Sequence, residues 1–479
     1  MEEAIRKTKQ RFQNAETIAK KDFKKGKKSA RRRLSHGEKR AVHISRYLTN
    51  RKRYGRFLRI LGPGVITGAA DDDPSGIATY SQAGAQFGMG LLWAFPLMFP
   101  LLLAVQECCA RIGAVTGKGL AAILKENYSR KLLYTSVALV VVANTVNIGA
   151  DFGALASTTQ LLVPVNFAVL AVGFAVVITM LEIFVPYKRY ASFLKWLALS
   201  LLAYPITAFM IHQNWHNIAA QTFTLHPKLN MATMYILVGM IGTTISPYLF
   251  FWDTSEVVEN EIISHRLAET KSTAPRINRH FIRSVRVDNF VGMAITVVTA
   301  WFIVIVCGSV LFAHGVKNIN TAADAARALQ PLVQSFPNAG LVAKIIFSVG
   351  IIGIGLLAIP VLAGSASYAI SETLGWKEGL HHKFRRATGF YVVIIISTLL
   401  GVGMNFLGID PIKALVFAAV FNGISAVPLL LMIAKVGSNR TIMGEYKNGW
   451  ASNLGIYTAF AIMLAAALVM FYAFATGNA

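Results

Sequence analysis

Charged side chains are scarce here: they make up 15% of the 479 residues, and the 23 acidic ones number fewer than half of the 47 basic ones. With 54% hydrophobic residues and a mean hydropathy of +0.52, the chain has more apolar length than a soluble core can bury, so lipid must solvate it. Cysteine is nearly missing. Cys108, Cys109 and Cys307 are odd in number and lie in apolar runs, which excludes a disulfide framework, and CxxC and His/Cys zinc spacings do not occur. The three thiols read as small packing residues. The alternating ten-residue segments of a transmembrane β-barrel are lacking. So is an N-terminal apolar core with a small-residue cleavage site, and no removable signal peptide is expected.

What is present is a series of long apolar stretches. A spanning helix needs about 20 mostly apolar residues at a rise of about 1.5 Å each, and the chain after residue 57 accommodates roughly eleven. The expected spans are 57–86, 88–112, 132–155, 162–185, 190–212, 231–262, 287–313, 340–372, 387–407, 411–435 and 452–475. Those near 30 residues must tilt, break or run past the bilayer.

Lysine and arginine set the orientation. Arg111, Lys118, Lys125, Arg130 and Lys131 follow the second span, Lys188 and Arg189 the fourth, and Arg266, Lys271, Arg276, Arg279, Arg283 and Arg286 the sixth. Lys377, Lys383, Arg385 and Arg386 follow the eighth span, and Lys435, Arg440 and Lys447 the tenth, whereas the 213–230 and 314–338 loops hold few basic residues. By the positive-inside rule the N-terminus and these loops are cytoplasmic and the short C-terminus is outside, as expected for a plasma (inner) membrane protein. Five spans precede the 213–230 loop and five follow it, so the second group starts from the opposite side. That is an inverted repeat with one appended helix. The expected organisation is a largely disordered basic tail over 1–55, a five-helix repeat over 56–212, its inverted partner over 213–435, and a loop with the eleventh helix over 436–479.

The net charge of +24 is unevenly placed: Lys20 through Arg40 hold eleven lysines and arginines without apolar periodicity, and Arg51, Lys52, Arg53, Arg56 and Arg59 lead into the first span. Such a run suits nucleic acid or anionic lipid. Beside a membrane domain, lipid is the expectation and nucleic acid is not.

Two spans are interrupted. In GPGVITGAADDDPSGIATYSQAG (62–84), Asp71, Asp72, Asp73, Pro74, Ser75 and Gly76 fall mid-membrane. A carboxylate there costs at least about 2.5 kcal/mol and needs a cation, a water-filled cavity or a partner. Pro74 cannot continue the hydrogen-bond ladder and Gly76 tolerates unusual dihedrals, so the helix breaks. The break frees carbonyls such as those of Ala69 and Ala70 beside Asp73, an oxygen set suited to a hard divalent cation. In GMIGTTISPYLFFWDTSEVVE (239–259), Pro247 follows Thr243, Thr244, Ile245 and Ser246 and opens the second group in the same way. Paired breaks in the two halves point to a transporter's binding site; prolines such as Pro96, Pro100 and Pro205 read as simple kinks.

These residues resemble the natural resistance-associated macrophage protein (Nramp) family of divalent-metal transporters from about residue 58 to 475. GPG followed by DPSGIAT is similar to the family's GPG and DPGN motifs, QECCARIGAVTGKGLA (Gln106 to Ala121) to its QxxAARLGxVTGxxLA run, and TTISPY to the second break, where Met-Pro-His is usual. The resemblance implies an all-α polytopic membrane protein of the leucine-transporter fold, with the first and sixth helices unwound at the midplane and alternating access for a metal ion. It places the metal-binding Asp on Asp73, the family Asn on Gly76 and the family Met on Ser246; Asp72 beside Asp73, the freed carbonyl of Ala70, Thr243 and, in the tenth span, Asn422, which reads equally as a helix-packing residue, are further candidate oxygen donors. Replacing a thioether by oxygen favours Mg²⁺ or Mn²⁺ over softer metals, and a roomier pocket suits a partly hydrated Mg²⁺. The sequence thus resembles the Nramp-related magnesium-transporter branch. The family's third-span acids fall on Asn144 and Asn147, and its sixth-span histidines on Tyr248 and Asp253. Asparagine cannot relay a proton by ionising, so metal movement is expected to be weakly coupled or uncoupled to protons. Asp151, Asp253 and Glu256 remain as titratable groups on the candidate proton or gating path.

Other classes stay in view. They are a proton-coupled Mn²⁺/Fe²⁺ importer of the usual Nramp kind, a carrier of an organic cation on the same fold, an intramembrane enzyme using Asp73 and Asp253 as an aspartyl pair, and a metal-sensing receptor. Three consecutive acids disfavour an anionic or zwitterionic substrate, and no catalytic motif supports an enzyme. No cofactor is expected; the divalent ion is substrate, and the assembly is a monomer or homodimer.

Overall fold

The computed structural model describes residues 67–476 apart from 69, 186–201, 212, 226–229, 265, 268–274, 276, 320–321, 334–337 and 409. The basic tail, the beginning of the first span, Ala69, Lys188, Arg189, Lys271, Arg276 and most of the fifth span lie outside the described residues. Every element among the described residues is helical. In chain order they are α1 (Pro74–Phe87), α2 (Ala94–Thr116), α3 (Leu120–Asn127), α4 (Arg130–Thr159), α5 (Phe167–Phe184), α6 (Ala203–Met210) and α7 (Trp215–Phe223). Then follow α8 (Met231–Thr244), α9 (Pro247–Ile263), α10 (Arg279–Val310), α11 (Ala339–Leu374), α12 (Thr388–Met404), α13 (Pro411–Ser438) and α14 (Trp450–Thr476).

Short polar residues start these helices by accepting from backbone N–H groups that have no intrahelical partner. Asn166, Asn214, Asn230, Asn278 and Asp410 cap α5, α7, α8, α10 and α13. Gly117 and Gly375, both left-handed, end α2 and α11.

Nine helices among the described residues are long and apolar enough to cross a membrane, with α8 and α9 counted as one interrupted span. Of the expected eleven, the first is described from Thr67 onward, chiefly as α1, and the fifth only as α6 and the residues beside it. Their outer faces carry exposed large apolar side chains, including Phe184, Phe209, Leu399 and Leu407, which only lipid can solvate. This is an integral membrane protein. At 36 residues α11 is about 54 Å long, more than the hydrocarbon thickness, so it tilts or extends beyond the bilayer.

Without a hydrophobic drive between helices in lipid, close approach of backbones does the packing. At Gly84 an added Cβ would meet Val304 O at 2.6 Å, which fixes α1 against α10; at Gly242 it would meet Ala419 O at 2.2 Å, which fixes α8 against α13. α4 packs mainly between α11 and α13, placing its polar residues beside the breaks.

Candidate functional site

Both predicted interruptions are present. Thr67, Gly68, Ala70 and Asp71 are helical, Asp72 and Asp73 are not, and α1 restarts at Pro74. α8 ends at Thr244 and α9 restarts at Pro247, with Ile245 and Ser246 between them. In each case proline takes the first helical position, where a missing N–H costs nothing.

Asp73 is the N-cap of α1, fully buried. Its Oδ1 accepts from Gly76 N at 2.7 Å and from Ser75 Oγ at 2.6 Å. Its Oδ2 accepts from Asn147 Nδ2 at 2.8 Å, and Tyr248 Oη lies 3.5 Å away while donating to Ala70 O at 3.1 Å. The carboxylate is therefore held from three helices by neutral donors and by the positive end of the α1 dipole. No lysine or arginine pairs with it among the described residues. A carboxylate fixed in this way keeps lone pairs for a cation, and the groups that hydrogen-bond to it are neutral.

Thr243 joins the same centre: its Oγ1 is 3.4 Å from Ser75 Oγ, and a Cβ on Gly76 would lie 3.2 Å from Thr243 Oγ1 and 3.5 Å from Asp73 Oδ1. Position 76 thus faces the site, and glycine leaves there the space a larger side chain would fill. Ser246 behaves differently. Its hydroxyl donates back to Thr243 O at 2.6 Å, within 3.1 Å of Gly242 O, so the proton is committed to the end of α8 and the oxygen keeps lone pairs. Asp71 and Asp72 are buried; both Asp71 oxygens and Asp72 Oδ1 have no hydrogen-bond partner among the described residues. Asn422 is buried with neither amide atom partnered, next to the Gly423 crossing of α8 and α13.

The residues expected on a proton path separate into two groups. Asn147 and Tyr248 adjoin the Asp73 centre itself, as donors to Asp73 Oδ2 and to Ala70 O. Asn144 donates to Leu362 O at 3.1 Å on α11. Asp253 accepts from Asn289 Nδ2 at 2.9 Å and Thr67 Oγ1 at 3.4 Å, tying α9 to α10 and to the helical residues before the first break. Glu256, a turn further along α9, has Oε2 unpartnered. Asp73 and Asp253 have separate sets of partners, so the aspartyl-pair reading finds no support in the geometry. Ser75 was given no role from sequence. Its signal is the Asp-Pro-Ser-Gly run itself, in which an N-cap aspartate is met by the second and third residues of the helix.

Two discontinuous helices broken at corresponding places are the build of a secondary transporter's central site, and the helix arrangement around them is the leucine-transporter fold. The solved manganese transporter of Eremococcus coleocola shares this architecture, with a TM-score of 0.68 and 15% identity over 88% of this chain and 87% of that one. MhsT in complex with L-phenylalanine follows at a TM-score of 0.55, 11% identity, 85% of this chain and 97% of that one. The family described as natural resistance-associated macrophage protein-like matches residues 64–473, and the chain belongs to it. The relative named divalent metal cation transporter MntH from Ralstonia nicotianae is 25% identical over 86% of this chain and 90% of its own length. The protein of the same name from Staphylococcus aureus is 24% identical over 85% and 89%.

Proposed function

We propose that this protein is a secondary transporter that moves divalent metal cations, Mg²⁺ and Mn²⁺, across the membrane by alternating access, and is not an enzyme. The reading rests on Asp73: a buried carboxylate, oriented by Ser75, Gly76 and Asn147, at a helix break rich in oxygen donors. Family membership and relatives named as divalent metal cation transporters support it. Asp73→Asn keeps the shape but removes the charge; it should abolish Mg²⁺ and Mn²⁺ uptake into proteoliposomes while the protein stays folded in the membrane. Retained uptake would move the site elsewhere.

The ion preference we infer is toward Mg²⁺. Gly76 leaves room at the first break, Ser246 supplies a hydroxyl at the second, and Asp71 and Asp72 add negative charge nearby, a combination suited to an ion that keeps part of its water. Proton coupling is weak or missing in this reading, because Asn144 and Asn147 cannot ionise. The second reading, a proton-coupled Mn²⁺/Fe²⁺ importer, draws for its metal on the solved neighbour, a manganese transporter, and on the relatives named divalent metal cation transporter. Uptake of Mg²⁺, Mn²⁺ and Ca²⁺ recorded together with internal pH separates the two: stoichiometric acidification with Mn²⁺ preferred selects the second. The orientation that accompanies the proposal has a cytoplasmic N-terminus and an external C-terminus.

A further inference from the structure

Asp151 belongs to none of the contacts described above. It lies on α4 four residues beyond Asn147 and seven beyond Asn144, one face of the helix, and is fully buried. Neither of its carboxylate oxygens has a hydrogen-bond partner among the described residues, and the free Oδ1 atoms of Asn147 and Asn144 are unpartnered on the same stripe. Ile148, Phe152 and Leu155, its apolar neighbours along the helix, are buried and offer nothing polar.

A buried carboxylate with both oxygens open, one turn from the group that orients Asp73, is costly as a packing element. Its cost is offset when a cation visits it. We propose that Asp151, with the free amide oxygen of Asn147, forms a second cation station, occupied by a hydrated divalent ion on its way to or from Asp73. Asn147 links the two: Nδ2 holds Asp73 Oδ2, and Oδ1 remains for the ion. In the orientation given above, α4 runs outward from Arg130, so the station lies about 6 Å external to Asn147, at a rise of about 1.5 Å per residue.

The station rests on the transport reading, and the test separates their failures. Equilibrium binding of Mn²⁺ to the full chain in detergent is measured for Asp73→Asn and for the double variant with Asp151→Asn. Binding should persist, weakened, in the first and vanish in the second. In vesicles, Asp151→Asn alone should raise the KM for external Mn²⁺ roughly tenfold, within the range seen when a group supporting a metal site is lost, and more than it lowers the maximal rate. Equal binding by the single and double variants, or a KM unchanged by Asp151→Asn, overturns the station while leaving Asp73 as the transport site. A wild-type chain that takes up no Mn²⁺ but loses binding through Asp151 would instead sink the transport reading and keep the station. Asp151→Ser, which removes the charge without adding bulk, is the second variant should the asparagine disturb folding.

Discussion

On the proposed reading, a hydroxyl at position 246, where the family resemblance implies a thioether, changes what an ion would meet at the second break. The Ser246 hydroxyl is turned onto Thr243 O, so the end of α8 carries hard oxygens and no thioether. Ser246→Met would release that carbonyl and bring a polarisable sulfur toward the site. Competition uptake should then shift toward Mn²⁺ and Cd²⁺ relative to Mg²⁺ by roughly tenfold, the effect of about 1.4 kcal/mol of added soft-ligand preference. An unaltered order of ions would remove Ser246 from the ion's immediate surroundings. Asp73 was legible in the sequence because a mid-membrane carboxylate before proline has few structural uses. Tyr248 and Asn147 were not assigned to it, because 74 residues separate Asn147 from Asp73 and only the packing of α4 against the break brings them together.

Three helices meet at Glu372 near the end of α11. Its Oε2 accepts from Ala121 N at 2.8 Å and Ala122 N at 3.2 Å, capping α3, and its Oε1 accepts from Ser255 Oγ at 2.7 Å on α9. Three helices are thus joined by one carboxylate, and charge-assisted bonds of this kind are individually stronger than neutral ones. The clamp depends on Gly119, where a Cβ would sit 1.7 Å from Glu372 Oε1. Gly119→Ala should push the carboxylate off α3 and cost about 2 kcal/mol, the loss of a hydrogen bond to a charged group. A lowered melting temperature in detergent checks this, with Glu372→Gln giving a smaller drop. A melting temperature equal to wild type would show that the junction is not under tension from residue 119. Helix existence was readable from apolar length and from Asn and Asp caps, but this junction was not: nothing in the spacing of Gly119, Ser255 and Glu372 signals that they meet.

Across the whole molecule, charge is divided by location. The eleven basic residues of Lys20 to Arg40 lie outside the described residues, and the acids that carry the proposed chemistry lie in the buried centre. If the tail is held by anionic lipid, deleting residues 1–50 should weaken association with acidic liposomes, an effect lost at high salt as screening shortens. Mg²⁺ uptake should stay within about twofold, since phosphate-surface attraction acts at the interface and not at the midplane. A collapse of uptake in the truncated protein would tie the tail to the transport cycle instead.

Apolar length, basic loops and proline after a run of acids or hydroxyls were enough to fix a polytopic helical protein with two broken spans, because the bilayer allows few solutions to the burial of backbone polar groups. Which side chains surround the break is a matter of helix rotation and close approach, set by glycine contacts such as Gly84 and Gly242 between residues far apart in the chain. Tertiary structure alone therefore decided that Asn147 and Tyr248 orient the Asp73 centre, that Ser246 turns its proton away from it, and that Asp151 is left buried with its oxygens open.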